Sequence, residues 1–204
     1  ILKRLQVDYL DSLLLHRPDA LMEADQVAQA FDILHKSGKV RDFGVSNQNP
    51  MMMELLKTAV KQPLKVNQLQ LSAAFTPSFE AGFHVNMEGQ KAAVRDGSVF
   101  EYCRLTDTVI QAWSVLQHGY FKGNFVGKEE FAALNHVLND LAKKYQVTPT
   151  AIALAWVLRY PGKMQAVIGT TNPQHVLEAG KAAEVTLTRK EWYQIYLAAG
   201  NDLP

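Results

Sequence analysis

His16 closes the apolar run LLLH (13–16), and Arg17, Pro18 and Asp19 follow it at once. An imidazole in that place is either a histidine satisfied at a strand edge or a proton donor at the open end of a barrel. Other polar side chains end apolar runs in the same way. Ser46 and Asn47 close KVRDFGVSN, Gln68 lies within LKVNQLQL, Trp113 and Ser114 close TVIQAWS, and Thr170 and Thr171 close MQAVIGTT. Asn47 and Gln68 can each donate and accept, which matches a carboxamide ligand. Trp113 offers a flat face to a planar ring, or serves as packing. In VIGTTNP a glycine, two threonines and a fresh helix start come in succession. Free N–H groups and the positive end of a helix dipole there suit an anion, and an ordinary capped helix reads the same way. His175 and Glu178 lie one helical turn apart and can face one ligand; Glu178 suits a neutral or donor-rich group better than phosphate.

The elements that would carry these residues alternate. Strands are predicted at 9–16, 39–47, 64–71, 108–114 and 164–171. Between them, Val27, Ala30, Phe31 and Leu34 recur at helical spacing, with Gly38 where a C-terminal cap belongs. Pro50 opens a helix to about Val60, and residues 99–105 and 129–145 also read as helices. Thr148-Pro149 and Asn172-Pro173 each pair an N-cap with a proline in the first turn. They start helices running to about 159 and about Ala182. Thr188 with Glu191 is a capping box before the last helix, which carries Trp192, Ile195, Tyr196 and Ala199. The segment 72–98, with Pro77, Gly82, Gly89 and Gly97, reads as a long loop with a short helix.

Strands apolar on both faces, alternating with helices, imply an α/β architecture with a parallel sheet. No G-x-G-x-x-G follows the first strand, which weakens an open dinucleotide fold against a barrel. In a parallel barrel the C-terminal strand ends converge on one face, where active sites lie. Strand ends are also polar simply because loops begin there.

Bulk properties narrow the classes. The 204 residues are 48% hydrophobic, with 21 Lys+Arg against 20 Asp+Glu. No basic patch invites nucleic acid or an anionic membrane, and no apolar run reaches the ~18 residues of a membrane span. Cys103 is the single cysteine. It excludes an internal disulfide and a cysteine-rich metal site, and it fits a reducing cytoplasm. We expect one domain over 1–204, no metal, and a cytoplasmic setting.

Taken together and in order, DYLDSLLLHRPD, GKVRDFGVSN, VNQLQL, IQAWS and VIGTTNPQHVLEA resemble the aldo-keto reductases, in their bacterial branch. The resemblance covers nearly the whole chain. It implies a TIM (β/α)8 barrel that binds NADP, with NAD as the second choice, and reduces a small-molecule aldehyde or ketone. His16 resembles the family histidine that hydrogen-bonds the substrate carbonyl. Ser46, Asn47 and Gln68 resemble the group that holds the nicotinamide carboxamide. Trp113 stands where an aromatic stacks on the nicotinamide, and Ser114, Leu116 and Gln117 fall in the loop over the pyrophosphate. Gly169, Thr170 and Thr171 fall at the adenosine 2′-phosphate, with His175 and Glu178 near the adenine end.

The resemblance also marks departures. Gly169 replaces a common lysine, His175 a common arginine, Ala179 a common asparagine, and Gln48 a common phenylalanine. The family's tyrosine acid, its lysine and its aspartate lie on strands that would precede Ile1. Five strands are predicted where a barrel of this type has eight. The expectation is therefore a partial barrel lacking its N-terminal strands, with open sheet edges able to self-associate. Tyr9 lies at the wrong end of its strand to replace the acid, and Tyr120 sits in a loop. The 204-residue chain alone is expected to be inactive; a catalytically inert nicotinamide-nucleotide-binding module, or a fragment lacking the tyrosine acid, is the alternative. A phosphate-substrate aldolase or lyase would need a lysine at a strand end, and none is there.

Overall fold

The computed structural model describes residues 1–19, 22–83, 98–119 and 122–201. In chain order they form α1 (Leu2–Leu5), β1 (Leu10–Leu15), α2 (Ala24–Lys36), β2 (Val40–Ser46), α3 (Pro50–Lys57), β3 (Leu64–Gln70), α4 (Pro77–Phe83), α5 (Val99–Leu105) and β4 (Val109–Trp113). Then follow α6 (Ala132–Tyr145), α7 (Pro149–Leu158), β5 (Met164–Ala166), α8 (Pro173–Gly180) and α9 (Arg189–Ala198), with 3-10 turns at Glu129–Phe131 and Lys181–Glu184.

Three helices start by one device, a polar cap followed by proline. Asn49 accepts from the Met52 N–H, Thr148 from Ala151 and Asn172 from Gln174. Each cap satisfies an amide the helix cannot, and proline removes another that had no partner. The capping box of Thr188 and Glu191 forms as expected.

The strands follow one another in a sheet in the order β1-β2-β3-β4-β5. A doubly wound sheet reverses its order partway, whereas a (β/α) barrel does not. The sheet is parallel and α/β, as expected for part of a barrel. The chain divides into two units, Ile1–Leu69 with Asp96–Ile110, and Gln70–Arg95 with Gln111–Pro204.

In the first unit, β1 pairs with β2 from Leu10↔Val40 to Leu15↔Val45, and β2 with β3 through Val45↔Asn67 and Ser46↔Gln68. Gly44 makes this three-strand contact close. A Cβ there would lie 2.5 Å from the Val66 carbonyl oxygen and 2.6 Å from Leu14 Cδ2. On the opposite face Phe43 stacks on Phe31 of α2 with ring centroids 4.1 Å apart, in a core with Val40, Val45, Met53 and Leu56.

The second unit is built around α7, which is buried along most of its length and carries no charged side chain. Its Trp156 stacks on Trp192 of α9 at 4.8 Å, and Phe79 of α4 meets both rings edge-on. At one end of α9, Glu191 is buried beneath Lys144 and Tyr145 of α6, accepting at 2.5 Å and 2.9 Å.

Several boundaries differ from expectation. The fifth strand stops at Ala166 rather than at 171, and only the Val167 N–H continues its ladder, donating to Ala112 at 2.8 Å. Beyond it the backbone turns toward the Asn172 cap, so the apolar Val-Ile pair leaves the sheet. The helix from Pro50 ends at Lys57, and the one from Pro173 tightens into a 3-10 turn after Gly180. The helix expected from 129 starts with a 3-10 turn. Residues 84–97 of the long loop lie outside the described residues, as does Tyr120.

Candidate functional site

The register of the first unit brings three sequence candidates to one level. Ser46 and Gln68 are partners at the C-terminal ends of β2 and β3. His16 lies one step past the Leu15↔Val45 pair, level with Ser46 by continued alternation, and is exposed. Parallel strands therefore deliver an imidazole, a hydroxyl and a carboxamide to one edge.

Asn47 ties this edge together. Its backbone N–H donates to the Gln68 carbonyl at 2.9 Å, and its Nδ2 donates to Ser46 Oγ at 3.0 Å. Ser46 Oγ in turn donates to the same Gln68 carbonyl at 3.0 Å. The φ of Asn47 is 53°, in the left-handed region that asparagine tolerates better than most residues. Ser114, at the end of β4 in the second unit, has φ 52°. Backbone held this way gathers where side chains must be aimed rather than merely packed.

Behind this edge lie two amides whose part in the fold the sequence did not reveal. Asn67 is 0% exposed and donates through Nδ2 to the Gln48 carbonyl at 2.9 Å, fixing the chain just after Asn47. Gln48 is 1% exposed, and neither atom of its amide has a hydrogen-bond partner among the described residues. Asn67 shares the face of Val45, toward Met53 of α3, and that inward direction is set by register rather than by residue type. Next to it, burial pushes the Cys103 thiol up to about 11, against a smaller downward pull from Asn67. A thiol so held is no nucleophile at neutral pH.

Tyr9 is placed as the sequence suggested, at the N-terminal end of β1, with the Arg41 guanidinium 3.7 Å above its ring. That contact pins it at the end of β1 away from His16.

In the second unit a cavity of about 670 Å³ takes in most of the remaining candidates. Trp113, Ser114, Leu116 and Gln117 line it from the end of β4, and Gly169, Thr170, His175 and Glu178 from the loop after β5 and from α8. The β4 loop is held in shape by Gln117 N–H donating to Ser114 at 2.9 Å and Phe125 N–H donating to Leu116 at 3.1 Å. Thr171 is exposed and is not among the lining residues, a departure from expectation. The chain has already left β5 at Ala166 by this point. Asn124, Thr150 and Ala179 also line the cavity, and the sequence did not single out the first two. Thr150 had a signal, since it follows Pro149 in the first turn of α7.

Thr170 Oγ1 accepts from the Asn172 N–H at 3.1 Å and stands 3.4 Å from His175 Nδ1. Gln174 Nε2 donates to Glu178 Oε1 at 3.0 Å and holds that carboxylate in place. Among the described residues no group of three metal-binding side chains forms, and no helix is long and apolar enough to cross a membrane.

The first unit offers an amide-matching group, and the second a cavity with a ring face, hydroxyls and a helix start.

Comparison with known proteins agrees. The profile of the aldo/keto reductase family matches residues 1–198. The chain is 34% identical over 204 residues to a 6-dehydroglucose reductase of Agrobacterium fabrum, covering 99% of this chain and 61% of that protein. It is 35% identical over 202 residues to the oxidoreductase YdhF of Escherichia coli, covering 98% and 61%. The chain thus spans about 61% of the length of these curated relatives. Among solved structures, an aldo-keto reductase from Klebsiella pneumoniae in complex with NADPH is similar with a TM-score of 0.71 and 25% identity, over 95% of this chain and 60% of that one. A thermostable aldo-keto reductase, Tm1743, bound to the inhibitor epalrestat, shares the fold with a TM-score of 0.73 and 23% identity, over 97% and 62%. On the profile match across nearly its whole length, the chain belongs to the aldo/keto reductase family.

Proposed function

We propose that the protein is a carbonyl reductase using a nicotinamide dinucleotide, with NADP(H) as the cofactor and a small aldehyde or ketone as the substrate. The observation that carries this reading is the Ser46–Asn47–Gln68 cluster one register step from His16. When bound, the nicotinamide supplies the two-electron reduction of a carbonyl carbon. Ser46, Asn47 and Gln68 hold its carboxamide, because amides and a hydroxyl meet both its donor and its acceptor. His16 donates a hydrogen bond to the substrate oxygen and orients it, stabilising the charge that grows there. The cavity of the second unit takes the nucleotide end, with Trp113 as a ring face and Ser114, Leu116 and Gln117 beside the pyrophosphate. Gly169, Thr170, His175 and Glu178 take the adenosine end, with Thr171 exposed beside Thr170. The likeness to an NADPH-bound reductase supports this cofactor.

The test is nucleotide binding and turnover in a chain that also carries the family's tyrosine, with His16→Ala alongside. NADPH should bind, and a small aldehyde should drive its oxidation. In His16→Ala, kcat/KM should fall roughly 10²–10³-fold, the range for losing a polarising donor, with NADPH affinity unchanged. Equal losses in both would remove His16 from this role. Binding with no turnover of any carbonyl would make the protein a nucleotide-binding module instead.

A further inference from the structure

The buried face of α6 is made by Leu134, Leu138, Leu141 and Ala142, and one side chain on it is polar. Asn135 is buried one turn before Leu138, where an aliphatic residue would pack. A buried carboxamide costs free energy unless its groups are bonded. Here all of its bonds go to the segment just before α6. Asn135 Oδ1 accepts from the Gly127 N–H at 2.8 Å. Its Nδ2 donates to the carbonyls of Phe125 at 2.9 Å, Lys128 at 3.0 Å and Phe131 at 3.1 Å.

That segment forms one wall of the cavity in the second unit. Asn124 and Val126, on either side of Phe125, line it. Phe125 is itself buried, and its N–H donates to the Leu116 carbonyl at 3.1 Å. Gln117 and Asn124 form a bridge beside it. The limb that bears Leu116 and Gln117 is therefore tied to the limb that Asn135 holds. Asn135 is not among the lining residues and stands one layer behind them.

We propose that Asn135 is a positioning residue for the bound nucleotide: by fixing Phe125 and Gly127 it keeps Leu116, Gln117, Asn124 and Val126 in the shape that retains the ligand. The inference rests on the function proposed above, in which this cavity takes the nucleotide end. Without the amide the wall loses its brace before any ligand arrives, and the cost of ordering it falls on binding. An aliphatic side chain of similar size would fill the space but bring neither donor nor acceptor. Changes of this kind act mainly on dissociation rather than association.

The test compares Asn135→Ala with Leu138→Ala, which truncates the buried neighbour on the same face, in a chain that carries the family's tyrosine. In Asn135→Ala, NADPH should dissociate roughly tenfold faster in stopped-flow displacement, with association changed less than about threefold. The KM for NADPH should rise in step while kcat does not fall, as for lost uniform binding. Leu138→Ala should lower the thermal midpoint at least as far, yet leave NADPH dissociation within about twofold. Hydrogen exchange in the unaltered, nucleotide-free protein needs no variant and stands even if Asn135→Ala does not fold. There the Gly127 amide should be protected to within about tenfold of the buried amides of α6. Unchanged dissociation in Asn135→Ala, equally fast dissociation in Leu138→Ala, or free exchange at Gly127 overturns the proposal and leaves the reductase reading in place. NADPH binding by none of these proteins overturns both.

Discussion

Trp156 and Trp192 hold each other by a reciprocal exchange: each indole N–H donates to the other residue's backbone carbonyl, both at 3.0 Å, while the rings stack at an interplanar angle of 10°. Two helices are thereby joined by stacking and by two buried hydrogen bonds at once. A phenylalanine could keep the stacking but would bring no donor.

Trp156→Phe should keep most of the stacking and remove the indole donor to the Trp192 carbonyl. The expected loss is about 0.5–1.5 kcal/mol in chemical denaturation, the net worth of one hydrogen bond, because the helix α9 still supplies that carbonyl a partner. Trp156→Ala should lose about 3–5 kcal/mol, because a cavity opens as well.

Acid should loosen the packing of α6 against α9. Burial raises the Glu191 carboxyl, but hydrogen bonds from Lys144, from the Thr188 N–H and hydroxyl, and from Tyr145 outweigh it and bring it from 4.5 to about 2. A folded value below the unfolded one stabilises the protein above the unfolded pKa, and that stability is lost as pH falls through the folded value. The contribution is thus intact above about pH 5 and drains away toward about pH 2. Allowing for the half-exposed Lys144, it is on the order of 2 kcal/mol. Urea midpoints measured from neutral pH downward should fall, and in Glu191→Gln the fall should be shallower from a lower start.

Gly44→Ala should destabilise the first unit. Its new methyl would meet the Val66 carbonyl at 2.5 Å and Leu14 at 2.6 Å, so strands on both sides would have to shift. We expect a loss of roughly 1–3 kcal/mol, as for an overpacked core. Because β2 carries Ser46 and Asn47, NADPH affinity should weaken along with the thermal midpoint.

Asn47 allows the backbone and the side chain to be told apart. Asn47→Gly keeps a φ of 53° accessible and keeps the N–H bond to Gln68, while removing the amide. Stability should change by less than about 1 kcal/mol. NADPH affinity should drop roughly fivefold to thirtyfold, as for one or two lost polar contacts. Unchanged affinity would mean that the amide serves only to brace Ser46.

The parts of the fold written in local chemistry were readable from the residues. Thr148-Pro149 and Asn172-Pro173 announced their helices because a cap and its proline act within one turn, and Pro50 alone marked the start of α3. Ser46 and Asn47 were readable because they end an apolar run, and Gln68 because it is polar within one. Asn67 and Gln48 were not, since their importance comes from facing inward across two strands and a loop. The end of the last strand was not readable either: Val-Ile-Gly reads as continuing strand, yet β5 ends at Ala166. Asn124 reaches the cavity from the loop after β4, which no spacing along the chain could announce.

Cys103, the one sulfhydryl in these 204 residues, is sealed within the first unit with its thiol at about 11. In the closed state it is doubly silent to alkylating reagents, being both protonated and out of reach. Its labelling rate is accordingly a native clock for how often the layer beneath the Ser46–Asn47 edge breathes open, and a ligand that clamps that edge should slow it.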